Sequence, residues 1–347
     1  MQKNPPLHVG DSQHASRHDV AEYGRLESRN IGTVTFGDYV IDTWYGNSAY
    51  FQNFGDSKLG VDPEVVHSRR RGFLPVKPGF WVDNLYVCDS CFKYTLNAEH
   101  MAAHAPACPL QKRFPPLGKV VYVDKRQPYV IKKVRGYRHP LFCQNLALFG
   151  KLFLDDKLVF YNVEAFDFHV LYGHVPGARA RPAGHLSPLK PMGFFSAEVN
   201  SYELDTNLAC ICIFPPFQRL GLGSLLIEFL YAMARVTPGQ QFLGPEYPLL
   251  PFGRRLYLRF WARRLAFAVF AELGLQDAVT LLDLARLTGF RKEDVLVALE
   301  YMGVLQRGGP GDAEATLLVS STRAWCDANG VDPKTLHCML DPDGVLV

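Results

Sequence analysis

Between Leu208 and Val236 the chain runs from an apolar stretch, LACICIF, through two prolines into Gln218-Arg219-Leu220-Gly221-Leu222-Gly223 and on into SLLIEFLYAMARV. No other segment restricts the fold as tightly. A strand that turns through glycines straight into a helix needs partner strands on one side and a layer to cover the helix on the other. Leu225, Leu226, Phe229, Leu230 and Met233 recur at i, i+1, i+4, i+5 and i+8, which predicts a helix opening at Gly221 with one buried face. Glycines at a helix start let backbone N–H groups approach a ligand closely, and the helix terminus adds partial positive charge, so the segment suits a pyrophosphate. The dinucleotide fingerprint fails because Leu226 stands where its third glycine belongs, and a Walker loop fails because no Gly-Lys-Ser/Thr follows. On pattern alone a plain glycine turn stays open beside the anion cradle.

The flanking patterns supply the other layers. VTFGDYVIDTWY (Val34–Tyr45) predicts a strand, Val120–Tyr129 a hairpin around Asp124–Arg126, and Asn145–Leu154 a helix. Asp155-Asp156-Lys157 then reads as a turn into strands Leu158–Val163 and Phe166–Leu171, residues 173–192 as a solvated loop, and GFFSAEVNSYE with LACICIF as paired strands. Beyond Leu256 the chain turns helical. Central strands with interleaved helices predict an α/β chain of mixed α+β type, against a sandwich or a doubly wound sheet. The expected division is a disordered extension (1–32), an N-terminal region (33–120), a core (121–255), a helical subdomain (256–310) and a peripheral, turn-rich tail (311–347).

Composition excludes several classes. With 48% hydrophobic and 20% charged residues the chain is not wholly disordered, and a net charge of +3 is too small for a nucleic-acid coat or a polybasic membrane anchor. The most apolar run, Leu225–Val236, is broken by Glu228 and Arg235 and falls short of the roughly 20 residues that span a bilayer, so no membrane partner is expected. The first thirty residues lack an apolar h-region, which places the eight cysteines in a reducing compartment and directs them to metal binding or catalysis.

Four ligand-type residues have a spacing that serves that use. Cys88, Cys91, His104 and Cys108 form C-x2-C-x12-H-x3-C, which matches the tetrahedral N/S donor set of a structural Zn2+. His100 competes at i−4 from His104, but His104 stands four residues before Cys108 on the same helix face. Four protein ligands leave no open position for chemistry. TLNAEHMAAHA carries no Arg or Lys to read bases or phosphates, so sequence-specific nucleic-acid binding is not expected.

Six blocks in order, FGDYVIDTWY, the knuckle, FCQNLALFGKLFLDDKLVFYNVEAF, GFFSAEVNSYE, the glycine segment and GPEYPL, resemble the MYST family of histone lysine acetyltransferases from about Phe36 to Gln306. The Q/R-x-x-G-x-G element is similar to the acetyl-coenzyme A cradle of acetyltransferases. The resemblance implies an acetyl-CoA-binding core related to other N-acetyltransferases, flanked by the zinc knuckle and a helical C-terminal subdomain. It further implies Glu246 as general base, Cys210 as the active-site cysteine and Lys157 as an autoacetylated lysine. Cofactor contacts are implied at Cys210, Ile211, Cys212, Ile213, Gln218, Arg219, Leu220, Gly221, Leu222, Gly223 and Ser224. Ser224, Leu250, Ile213 and Pro251 depart from the family's usual lysine, serine, threonine and aspartate, which leaves the base and glycines intact but weakens the expected grip on the cofactor.

A lysine ammonium with pKa near 10.4 must lose a proton before attacking a thioester, and a carboxylate can take it. Cys210 lies in an apolar strand without a basic sequence neighbour, so it is assigned a supporting role. Within the family the chain resembles the fungal silencing-complex type acting on the histone H4 tail. That implies a nuclear location and chromatin-complex subunits as partners, since no chromodomain-like, PHD-like or bromodomain-like module fits the N-terminus. A scaffold subunit with weakened catalysis is the alternative. LLDLARLTGFRKEDVLVALEYMGVLQ reads as helix, Thr-Gly turn, helix; with Arg286, Arg291 and Lys292 its only basic residues, it suits packing better than DNA entry. Arg69-Arg70-Arg71 reads as a solvated loop rather than an import signal.

Overall fold

The chain enters the fold earlier than its composition suggests. Arg25–Leu26 (β1) pairs antiparallel with Gly46–Asn47, and the fully buried Ile31 opens β2 (Ile31–Phe36), so the extension expected through residue 32 ends sooner. The computed structural model describes residues 25–26, 29–47, 49–51, 81–154, 162–174, 188–199, 208–237, 242–273, 279–307, 315–336 and 338–346. The stretch expected to form one strand from Val34 is a hairpin, because Gly37 turns at φ +58° and returns the chain as β3 (Tyr39–Asp42). After β4 (Gly46–Asn47), β5 (Val82–Val87) pairs parallel with β2 and antiparallel with β6 (Tyr94–Thr95), giving a sheet of order β3-β2-β5-β6.

Helix α1 (Ala98–Ala107) starts at Asn97, whose side chain accepts from the His100 N–H, and buries none of its residues. The expected hairpin follows as β7 (Lys119–Val123) and β8 (Val130–Arg135). Helix α2 (Pro140–Lys151) begins five residues before the expected Asn145, because Pro140 is suited to a first helical turn and Phe142 and Cys143 are already buried. Strands β9 (Phe166–Gly173), β10 (Lys190–Glu198) and β11 (Leu208–Ile213) complete a five-stranded antiparallel sheet of order β11-β10-β9-β8-β7.

The loop expected through residue 192 therefore closes at Lys190, which pairs with Asp89 at 2.7 Å while Met192 is buried. Residues 158–161 of the strand expected at Leu158–Val163 lie outside the described residues, and Val163 belongs to a short 3-10 turn, Val163–Ala165.

Helix α3 (Leu222–Val236) packs its predicted face inward, with Leu225, Leu226, Phe229 and Leu230 each at most 1% exposed; Met233 is half-buried. Helix α4 (Pro251–Phe267) starts before the expected Leu256, again at a proline. Helices α5 (Leu281–Thr288) and α6 (Lys292–Met302) flank the Thr-Gly turn as read, with Gly289 at φ +80°. β12 (Leu305–Arg307), β13 (Ala315–Leu317) and α7 (Val319–Asn329) follow.

The tail is not peripheral as expected. Val345 bridges to Tyr122, the Leu346 N–H donates to the Val121 carbonyl at 2.9 Å, and the Leu340 N–H donates to Glu228 on α3 at 2.7 Å. These contacts satisfy a buried Tyr122 hydroxyl, which accepts from the Asp341 N–H and donates to Asp124. One core joins both sheets: Phe36 stacks on Phe149 at 4.5 Å, and Phe92 and Phe214 close around them.

Candidate active site and metal knuckle

A cavity of about 1100 Å3 opens along β11, the N-terminus of α3 and one side of α4. It exceeds the usual size of a drug-like pocket and suits a long ligand. On one side are Cys210, Ile211, Cys212 and Ile213, with Cys210 and Cys212 on the buried face of the strand and Ile211 and Ile213 half-buried on the other. Burial pushes the Cys212 thiol well up, which suits an inert core thiol.

The turn after β11 is shaped by three devices. The Gln218 side chain donates to the Ile213 carbonyl at 2.9 Å, Arg219 adopts φ +64°, and Gly221 caps α3 at φ +79°. At that last φ any side chain would be strained, and a Cβ at Gly221 would also come to 3.0 Å from Met339. Gln218, Arg219, Gly221, Leu222, Gly223 and Ser224 all line the cavity, whereas Leu220 does not and is 42% exposed.

Glu246 lines the same cavity. Its N–H donates to the Leu208 carbonyl at 3.1 Å, and Pro245 bridges in parallel to Leu208, so the Gly244-Pro245-Glu246 segment lies beside the strand that carries Cys210. Behind it stands a buried clamp that sequence reasoning missed. Arg291 forms an ion pair with Asp294 at 2.8 Å and donates to the Pro245 carbonyl at 2.9 Å, while the Tyr247 hydroxyl donates to Asp294 at 3.0 Å. Burial pushes the Asp294 carboxyl up, countered in part by Arg291. Arg291, counted in the sequence only as one of three basic residues of its segment, is 8% exposed, and a Cβ at Gly244 would collide with it.

Other wall residues also carried no clear sequence signal. Trp44 and Phe252 meet across the cavity at 5.4 Å, Arg259 and Arg263 project from α4, and Met339 comes from the tail. Leu250 and Pro251, read as departures from a family pattern, line the wall where α4 begins. Lys157 lies outside the described residues.

At the far end of the N-terminal sheet the ligand atoms of Cys88, Cys91, His104 and Cys108 all fall within 4.8 Å of one another. Tetrahedral zinc–sulfur bonds place sulfurs about 3.7 Å apart, so this donor set fits Zn2+ with little rearrangement. A hydrogen bond with Cys91 pulls the Cys88 thiol down to about 5, while the same bond and burial push Cys91 up. The knuckle bears on the core through Phe92, which has φ +61° and 0% exposure between Phe36 and Phe149. Helix α1 is ten residues long with no fully buried side chain, so a bound metal would be a main hold on His104 and Cys108. Freshly purified protein is expected to contain one zinc per chain by elemental analysis, and Cys88→Ser to lower soluble yield and melting temperature. Absence of stoichiometric zinc would overturn this assignment.

A family model described as the MOZ/SAS family matches residues 115–334. The chain is 37% identical over 315 residues, 89% of its own length and 83% of the relative's, to histone acetyltransferase SAS2 of Saccharomyces cerevisiae. It is 33% identical over 278 residues to histone acetyltransferase mst2 of Schizosaccharomyces pombe, covering 80% of this chain and 56% of that one. To histone acetyltransferase MOF of Drosophila melanogaster it is 30% identical over 277 residues, 80% of this chain and 28% of the relative.

Proposed function

This chain belongs to the MOZ/SAS family and is a histone acetyltransferase that uses acetyl-CoA, and on that premise we propose that it acetylates a lysine of the histone H4 tail with Glu246 as general base. The observation that carries the reading is one cavity that combines a glycine-capped helix start, the β11 strand and a carboxylate held at the strand's side. The α3 terminus and the Gly221–Gly223 backbone receive the pyrophosphate. The pantetheine arm lies along Cys210–Ile213, and the thioester faces Glu246. Glu246 takes a proton from the substrate ammonium; the freed amine attacks the thioester carbonyl, the C–S bond breaks, and the coenzyme leaves as its thiol after protonation. Cys210 shapes the apolar wall and forms no acyl intermediate.

A nuclear site of action follows from a chromatin substrate, with chromatin-complex subunits supplying targeting. Lys157 is proposed to carry an acetyl group. The core from 121 to 255 is proposed to hold the reaction, with 33–120 and 256–310 as its flanks. The test is transfer of labelled acetyl from acetyl-CoA to tail peptides of histone H4 and of the other core histones, with peptide mapping of the enzyme itself. Label on the H4 peptide above the others, and acetyl-Lys157 in active preparations, are the expected results. Preference for another histone overturns the substrate, and unmodified Lys157 in active protein overturns the autoacetylation.

A further inference from the structure

Helix α4 carries five arginines, Arg254, Arg255, Arg259, Arg263 and Arg264, and they are used differently. Arg264 pairs with Glu272 at 2.8 Å, and nearby on α3 Arg235 donates to the Thr288 carbonyl at 3.2 Å. Arg259 and Arg263 line the cavity, are exposed, and have no ion pair or hydrogen bond among the described residues. Two guanidiniums without a carboxylate partner in the wall of a large cavity leave their donor forks available to an anion that enters it.

Their position can be read from the helix. Leu256 is the residue that a Cβ at Gly223 would meet, at 3.0 Å, so α4 touches the glycine cradle there. Arg259 and Arg263 follow Leu256 by three and seven residues, which keeps them on its face, about 4.5 Å and about 10.5 Å farther along the axis. Glu246 comes before α4 in the chain and is held beside β11 through Leu208. Neither of the two carboxylates lining the cavity, Glu246 and Glu228, forms an ion pair with them among the described residues, and Glu228 is engaged by the Leu340 N–H at 2.7 Å and Cys338 at 3.2 Å.

We infer that Arg259 and Arg263 form a second anion site that grips the 3′-phosphate of coenzyme A, and so let the enzyme distinguish it from forms lacking that group. The inference rests on the proposed use of acetyl-CoA. The pyrophosphate at Gly221–Gly223 leaves the 3′-phosphate one ribose away, on the side remote from the thioester. Guanidinium forks bind a phosphate monoester through paired, charge-assisted hydrogen bonds. Ser224 beside the cradle supplies no charge; Arg219 stands in the turn before α3, at the pyrophosphate end, whereas Arg259 and Arg263 lie farther along α4.

The experiment is calorimetric titration of the full chain with coenzyme A and with 3′-dephospho-coenzyme A, for the parent protein, Arg259→Ala, Arg263→Ala and the double variant. The parent should bind coenzyme A at least about tenfold more tightly, each single change should remove part of that ratio, and the double variant should bind both ligands alike. Dephospho-coenzyme A affinity should stay at the parent value in every variant, which also certifies their folding. Arg259→Lys should restore part of the ratio. A ratio unchanged in the double variant overturns the phosphate site while leaving the acetyltransferase reading in place. Failure of the parent to bind either ligand overturns that reading and the site with it. Loss of affinity for a short DNA duplex in the double variant, with the ligand ratio intact, assigns the arginines to a nucleic-acid backbone and overturns the inference.

Discussion

Glu246→Gln is expected to slow acetyl transfer by about a hundred- to ten-thousand-fold, the range typical for loss of a general base, with coenzyme A affinity nearly unchanged. The amide keeps the size of the side chain but cannot accept the ammonium proton. The deficit should shrink as pH rises, since more substrate lysine is already neutral near its pKa of about 10.4. The variant's rate should therefore climb towards that value. Cys210→Ala should retain turnover, because Cys210 occupies the buried face of β11 and serves as wall. Steady-state rates of both variants on an H4 peptide at several pH values decide between direct attack and an acyl-cysteine route. An inactive, folded, cofactor-binding Cys210→Ala protein and a trapped acetyl-cysteine would show that the acyl-cysteine route operates.

The other large effect is expected far from any ligand contact. Asp294→Ala strands Arg291 in a site where it is 8% exposed, and breaking a buried pair by removing one partner costs about 3–5 kcal/mol. It also releases the Tyr247 hydroxyl, one of the holds on the segment that presents Glu246. Thermal unfolding should show a clear fall in melting temperature. At a temperature where the variant remains folded, kcat should fall more than KM changes, since a misplaced base weakens the reacting geometry and leaves the cofactor's binding surfaces alone. Asp294→Asn, which keeps an acceptor for Tyr247, should recover part of the rate. A variant with parental melting temperature and kcat would remove the clamp from the account.

These two residues also mark how far the sequence could be read. Gly221 and the Cys88–Cys108 spacing were legible because their signals are local: a positive φ at a helix cap and ligands one turn apart depend on a few neighbours. Glu246 was legible only through its flanks, for nothing about a lone glutamate indicates that its N–H will find Leu208. Arg291 was not legible as a clamp because RKED is polar on its face, and only the packing of α6 behind Gly244 buries it. Gly37 hid a hairpin inside an apolar run that alternated well enough for one strand. The tail failed for the same reason as Arg291. Its polar, turn-rich composition says nothing of a Tyr122 hydroxyl that needs partners 219 residues away.

That long reach has a consequence for the order in which the molecule assembles. Contacts between Tyr122 and Asp341 close a loop of 219 residues, and closure entropy of this kind is recovered only once both sides are already shaped. β7 and α3 must be in place before the Leu340 N–H can find Glu228 or Val345 can reach Tyr122. On loop-closure grounds this tail strap, residues 339–346, is expected to dock late in folding, which hydrogen exchange at the Leu340 and Leu346 N–H groups would check. Met339, which packs against the glycine cradle, rides on that strap. The wall beside the glycine cradle is accordingly set by contacts that close a long loop, so a ligand touching it would act as a staple, tying the end of the chain to β7 and α3.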